Sequence, residues 1–322
     1  VTVGVFRIWR GTYDRDAAAE IASLVLAFAF FGIVAERVLR GRARFAESGG
    51  MAAGFARPRL AGRRAWAATA TCATVVTVAF LAPVARLATW AVAEQRSTRG
   101  TPLTDRYADF LSNSLVLMGT TVAICLVVSI LVVNARRFVP TRAVSAARRA
   151  ATVGYAVPGP VVAMGVVVAL VALDQALGAI GRGLPGTVAT GSFLALVYAY
   201  AVRFLAPSLT SAESGLEQVP EALTDSARSL GTRPWGVLAR IHLPLSRASL
   251  LTAAILVAVD ALKELPIALL LRPIGFDTLP VWVYNLASES RFEQAALPAL
   301  TIVGVALVPV ALLNRRLEAG TS

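Results

Sequence analysis

The stretch Pro220–Pro244, PEALTDSARSLGTRPWGVLARIHLP, is the longest polar interval in the second half of a 322-residue chain, and long apolar runs enclose it on both sides. Pro220 suits the first position of a helix, where a missing N–H costs nothing. Glu221 and Asp225 put negative charge into the first turns, where the helix dipole favours it. Gly231 reads as the left-handed residue that ends this helix. A second short helix begins at Pro234 and stops at the Leu243-Pro244 pair, just before the next apolar run. The spacing predicts a helix–turn–helix across the mouth of a membrane bundle, shaped to be gripped by something in the cytosol.

The enclosing runs set the fold class. Hydrophobic residues make up 57% of the chain and the mean hydropathy is +0.68, beyond the range of soluble domains. Seven runs, near 17–36, 66–93, 109–133, 151–173, 188–206, 248–271 and 296–314, are long enough to cross about 30 Å of hydrocarbon. Such runs must be helical, because lipid offers the backbone no hydrogen-bond partners. The expected protein is all-α, integral to the membrane and multi-pass.

The net charge of +12 would suit nucleic acid, but its distribution argues for lipid instead. Loops 37–65, 134–150, 207–247 and 315–322 hold nineteen of the basic residues, against nine in the alternate set 1–16, 94–108, 174–187 and 272–295. The positive-inside rule puts the first set, and with it the carboxyl terminus, in the cytoplasm. Anionic headgroups are then the natural partners of the excess. Val1–Asp16 reads as extracytoplasmic, with Phe6, Trp9 and Tyr13 as interfacial anchors and without the pattern of a signal peptide. Cys72 and Cys125 fall inside apolar spans and read as buried thiols. His242 is the single histidine, which excludes a histidine triad or a multi-histidine metal site; an interfacial polar contact is its expected role.

At Pro220–Pro244 the chain resembles the permease subunits of binding-protein-dependent ABC importers. Their cytoplasmic loop carries Glu-Ala-Ala, three residues, Gly, nine residues, then Ile-x-Leu-Pro. Aligned on Gly231, this sequence has Asp225-Ser226-Ala227 and then Ile241-His242-Leu243-Pro244 at the same spacing. Asp for Glu and Ser for Ala are departures from the pattern. The resemblance implies that Asp225, Ala227, Gly231, Ile241, Leu243 and Pro244 form a coupling helix seated in a groove of an ATP-hydrolysing subunit. The competing reading is an amphipathic loop of some other membrane protein.

The sixth span carries Asp260-Ala-Leu-Lys263-Glu264-Leu265-Pro266. Ionisable groups within a span are costly unless they pair or face a hydrated path. Asp260, Lys263 and Glu264 can share one helix face. One ammonium leaves that face with about one negative charge if all three ionise. Pro266 kinks or breaks the helix. The group reads either as a charge network fixing helix register or as a gate in a translocation path. The run DALKELPIALLLRPIGFDTL resembles the ferric-iron branch of the permeases, as does Gly154–Gly159, GYAVPG, at the start of the fourth span.

The resemblance implies a six-helix type I importer bundle over 66–322. The Arg-rich linker from Val38 to Ala65 is the best boundary, so 1–65 is expected to be the last helix of a preceding module plus that linker. Expected partners are an ATPase subunit dimer, an extracytoplasmic binding protein, a second permease module and membrane lipid, with no nucleic acid. The chain has no GxxxxGK[ST] loop, so ATP would be hydrolysed by the partner and no cofactor is expected here; with no metal-ligand spacing and no paired-Asp, Ser/His or HExxH arrangement in the spans, it is expected to hold no metal and not to be an enzyme. Alternatives are a permease for thiamine, polyamine or an oxyanion, and an ion-coupled secondary transporter using Asp260, Lys263 and Glu264 as a relay.

Overall fold

In the computed structural model, residues 60–97, 104–139, 141–179 and 191–319 are described, with isolated helical positions between Glu20 and Ala35. Most of the expected first span, 17–36, and most of the Arg-rich linker lie outside the described residues. Ten helices follow: α1 (Gly62–Ser97), α2 (Thr104–Phe138), α3 (Arg142–Val153), α4 (Gly159–Ala179), α5 (Phe193–Glu217), α6 (Glu221–Ser229), α7 (Pro234–Leu262), α8 (Pro266–Leu271), α9 (Leu279–Ser288) and α10 (Phe292–Ala319). Six of them, α1, α2, α4, α5, α7 and α10, are long and apolar enough to cross a membrane.

Helix α5 is the hub. It packs against α2, α3, α4, α7 and α8, whereas α1 packs against α10. Half of the most apolar window of α5 is buried, and none of that of α1. In lipid, helix association relies on close packing rather than on escape from water, so small residues collect where backbones approach. Ala195, Ala199, Ala206, Ala212 and Gly215 line the buried faces of α5. The core joins Leu196, Ala199, Tyr200 and Phe204 of α5 to Leu117 and Cys125 of α2, Val162 and Val166 of α4, Val257 of α7 and Ile267 of α8. The Ser129 hydroxyl donates to Ser208 Oγ at 2.9 Å across the α2–α5 seam.

Three sequence expectations are corrected. Cys125 is buried as expected, but Cys72 is exposed, because α1 offers only one face to a partner helix. The run ending near residue 206 does not end its helix: Pro207 lies inside α5, which continues to Glu217. Neighbouring helices make an internal proline tolerable in a bundle. Arg203 is therefore well inside α5 rather than at its end.

The second short helix also does not stop at Leu243-Pro244. It widens into a π turn at Leu238–His242, with the Leu243 N–H reaching Leu238 O, and runs on to Leu262. Pro244 has no N–H for an ordinary turn, and a π turn just before it absorbs the misfit without a break. The loop and the following span are thus one rigid element.

A Cβ at Gly215 would lie 2.6 Å from Ser249 Cβ on α7. Gly215→Leu should therefore force α5 and α7 apart, at a cost of about 1–3 kcal/mol. The check is thermal unfolding of the detergent-solubilised protein, where the midpoint should fall by several degrees.

Candidate functional site

The chain between α5 and α7 folds as the sequence anticipates, with one shift: Pro220 is the N-cap of α6 and Glu221 its first residue. Gly231 has φ of +81°, a conformation open to glycine and costly for a side chain. Its N–H donates to Arg228 O at 2.9 Å, and the Thr232 N–H to Ala227 O at 3.0 Å, satisfying carbonyls that a helix end leaves unpaired. Pro234 then opens α7 at its first turn.

Of the sequence-predicted residues here, Ala227 is buried, Ile241 and Leu243 are half-buried, and Asp225, Gly231 and Pro244 are exposed. Leu223, Leu230 and Trp235 stand out from the same two helices, 45%, 86% and 69% exposed. Three large apolar side chains are thus left exposed beside the tight turn.

His242 is not at an interface; it is 1% exposed. Asn134 Nδ2 donates to Ile130 O, which turns Asn134 Oδ1 toward His242 Nδ1 at 2.5 Å. Nδ1 therefore carries the proton, and Nε2 accepts from the Thr224 hydroxyl at 3.0 Å. Phe138 stacks on the ring with centroids 5.8 Å apart. This imidazole ties α6 and α7 to α2, a role that a single histidine in the variable place of a motif did not announce.

The second cluster surrounds a true break. Helix α7 ends at Leu262, Lys263 is its C-cap, and Pro266 begins α8. Asp260 and Lys263 are paired at 2.9 Å, and Tyr155 donates to Asp260 Oδ2 at 3.1 Å. Glu264 does not share their helix face. It pairs with Arg203, whose Nε lies 3.2 Å from Glu264 Oε2, and it caps α8 through the Ile267 N–H at 3.3 Å. The Arg203 Nε contact is ionic rather than a hydrogen bond, since that N–H finds no acceptor in line. The expected surplus negative charge is thereby removed: two cations meet two carboxylates.

Arg203 also donates through Nη1 to Val157 O at 2.7 Å, and the Tyr200 hydroxyl donates to Glu264 O at 3.0 Å. Gly159 allows this approach, because a Cβ there would sit 2.7 Å from Glu264 Oε1. The sequence-predicted Asp260, Lys263, Glu264 and Pro266 are thus brought together. Tyr155, Tyr200 and Arg203, which complete the site, come from elements far off in sequence.

A family model described as "Binding-protein-dependent transport system inner membrane component" matches residues 126–322. The Fe(3+)-transport system permease protein FbpB 2 of Haemophilus influenzae is 23% identical over 98% of this chain and 60% of its own length. A putative 2-aminoethylphosphonate transport system permease protein, PhnV of Salmonella typhimurium, is 30% identical over 117 residues, which are 36% of this chain and 43% of that protein. The chain therefore spans less than two thirds of either relative. Among solved structures, a bacterial ABC transporter involved in the import of the acidic polysaccharide alginate superposes with a TM-score of 0.62 at 16% identity, covering 80% of this chain and 96% of that one. That likeness is one of fold.

Breaking a buried pair by removing one partner costs about 3–5 kcal/mol, whereas replacing both with apolar groups of similar size is often tolerated. Arg203→Met should lower the thermal midpoint in detergent more than Arg203→Met combined with Glu264→Leu. Equal losses in the two variants would mean that the pair does not hold the break together.

Proposed function

The chain belongs to the binding-protein-dependent transport-system inner membrane components, a family of membrane transport proteins rather than enzymes, and from that premise we propose that it is the permease subunit of an ATP-driven importer. The single observation that carries the reading is the α6–turn–α7 element, which offers exposed Leu223, Leu230 and Trp235 and continues without a break into a membrane span. A partner that moves α6 therefore moves a span. Closure of an ATPase pair on this element would rock α7, and the bundle with it, between outward-open and inward-open arrangements.

In this proposal Asp225, Ala227, Gly231, Ile241, Leu243 and Pro244 carry the coupling contact, and the carboxyl terminus and the 207–247 loop are cytoplasmic. An ATPase dimer binds there, and an extracytoplasmic binding protein delivers cargo at the other face. Residues 1–65 belong to a preceding module or its linker, and 66–322 form the six-helix domain. Asp260, Lys263, Glu264 and Pro266 line or gate the path. The relay of an ion-coupled transporter finds little support, because Asp260 and Glu264 are each paired with a cation.

The cargo reading is ferric iron, supported by the LKELP and FDTL runs and by a ferric-iron permease that aligns over nearly the whole chain. A phosphonate is the second reading, favoured by the higher identity of the shorter aminoethylphosphonate match.

The test is co-purification with the ATPase and binding protein encoded beside this chain, followed by ATP hydrolysis in vesicles. Iron-loaded binding protein should stimulate hydrolysis severalfold, and phosphonate-loaded protein should not; the reverse result would assign the second reading. Gly231→Asp, which puts a side chain at a positive φ and a charge into the turn, should insert normally and lose the stimulation. Undiminished stimulation in that variant would remove the coupling assignment. His242→Leu should lose part of it, because Thr224 and Asn134 are left without their shared partner.

A further inference from the structure

Of the 31 basic residues in this chain, thirty are arginine and one, Lys263, is lysine. The exception stands at the break after α7, beside an arginine that does the opposite job. Arg203 is fixed between Glu264 and the Val157 carbonyl, with a side chain 21% exposed. Among the described residues Lys263 pairs with Asp260, and its side chain is 63% exposed while that of Asp260 is 17% exposed. A guanidinium is a planar fork suited to permanent, multi-point pairing, whereas an ammonium is a point charge on a flexible stem.

Three features make the Lys263–Asp260 pair one that can open. Asp260 keeps the Tyr155 hydroxyl when the ammonium leaves, so its carboxylate is not stranded. Glu264 is occupied by Arg203 and by the Ile267 N–H, so it does not compete for Lys263. The ammonium is also the most exposed charge of the four. An exposed cation at the end of a membrane-crossing helix is too costly to turn toward hydrocarbon and belongs against water or a hydrated path. A bare cation moving there meets the ammonium first and is repelled. An anion meets a charge that is free to turn toward it.

We propose that Lys263 is a cargo-contacting residue, exchanging its pair with Asp260 for one with an oxyanion of the transported species, and that the cargo crosses as an anion. A carboxylate or phosphonate solute qualifies, and so does a metal ion held within an anionic chelate. The proposal rests on the permease reading above and specifies the chemical form in which its cargo passes.

Lys263, the sole lysine of this sequence, is resolved as a peptide of its own. The full chain, purified with its ATPase, is acetylated with an amine-reactive ester, and peptide mass spectrometry reads the rate at Lys263 alone. The probes are methylphosphonate, ferric citrate, and spermidine as the cationic control. Methylphosphonate or ferric citrate should slow acetylation, by about tenfold at ten times its Kd, and spermidine should not. Asp260→Asn, which frees the ammonium, should raise the unprotected rate severalfold and keep the anion protection. In vesicles, Lys263→Arg should retain ATPase binding and slow cargo uptake, because the fork holds Asp260 more firmly.

Protection by spermidine but not by the anions, or no protection by any probe, would overturn the proposal. Protection that appears on moving from phosphatidylcholine to phosphatidylglycerol vesicles without added probe would assign the oxyanion to a lipid headgroup and equally remove the cargo role. Co-purification of the ATPase is read in the same samples. Its absence would count against the permease reading, whereas its presence with an unprotected Lys263 would count against the anion alone.

Discussion

Arg203 lies where two interruptions of helix meet. One is the Gly154–Pro158 segment between α3 and α4, and the other is Lys263–Leu265 between α7 and α8. Within a bilayer each interruption frees backbone groups that hydrocarbon cannot satisfy, so a broken helix survives only where protein groups supply the missing partners. Arg203 takes the Val157 carbonyl of the first break and the Glu264 carboxylate of the second. Tyr200, one turn earlier on α5, takes the Glu264 carbonyl. The hub helix thus clamps both breaks, and the close packing of α4 and α8 follows from that clamp. Gly159 has no side chain because the Glu264 carboxylate occupies the place where one would go.

The same molecule keeps its other end rigid by different means. Where the span α7 meets the loop, a π turn carries the helix past Pro244, and the Thr224–His242–Asn134 chain fastens the loop to α2. Arg137 donates to Leu216 O and Val219 O, closing the carboxyl end of α5, and Glu213 holds Arg136 and Arg148. Several arginines that read in sequence as topology determinants therefore also bind helix ends together. A force applied at Trp235 reaches the charged break through one continuous helix. In the proposed function, rigid coupling at one end and a movable lysine pair at the other would divide the labour of alternating access.

The membrane class and the helix–turn–helix were legible because they depend on local chemistry. Apolar length fixes a span, and a glycine between two short polar helices fixes a turn. What escaped was set by partners distant in sequence. Nothing beside Glu264 shows that its cation is Arg203, because they meet through the crossing of α5 and α7 over the α3–α4 break. An apolar run stopped at Pro207 also placed Arg203 at a helix end, although proline within a packed bundle does not end a helix. His242 looked like a surface residue because its partners, Thr224 and Asn134, are unremarkable polar residues on other helices. Pro244 looked like a stop because the π turn that accommodates it leaves no compositional mark.

The account depends most on the loop of α6 and α7 being a cytoplasmic coupling element. The most direct measurement replaces Leu230 with cysteine in a chain whose Cys72 and Cys125 are alanine, co-expressed with the neighbouring ATPase. The account predicts a cross-link from position 230 to the ATPase and no reaction with a membrane-impermeant maleimide applied outside intact cells. Labelling from outside, with no ATPase adduct, would contradict it.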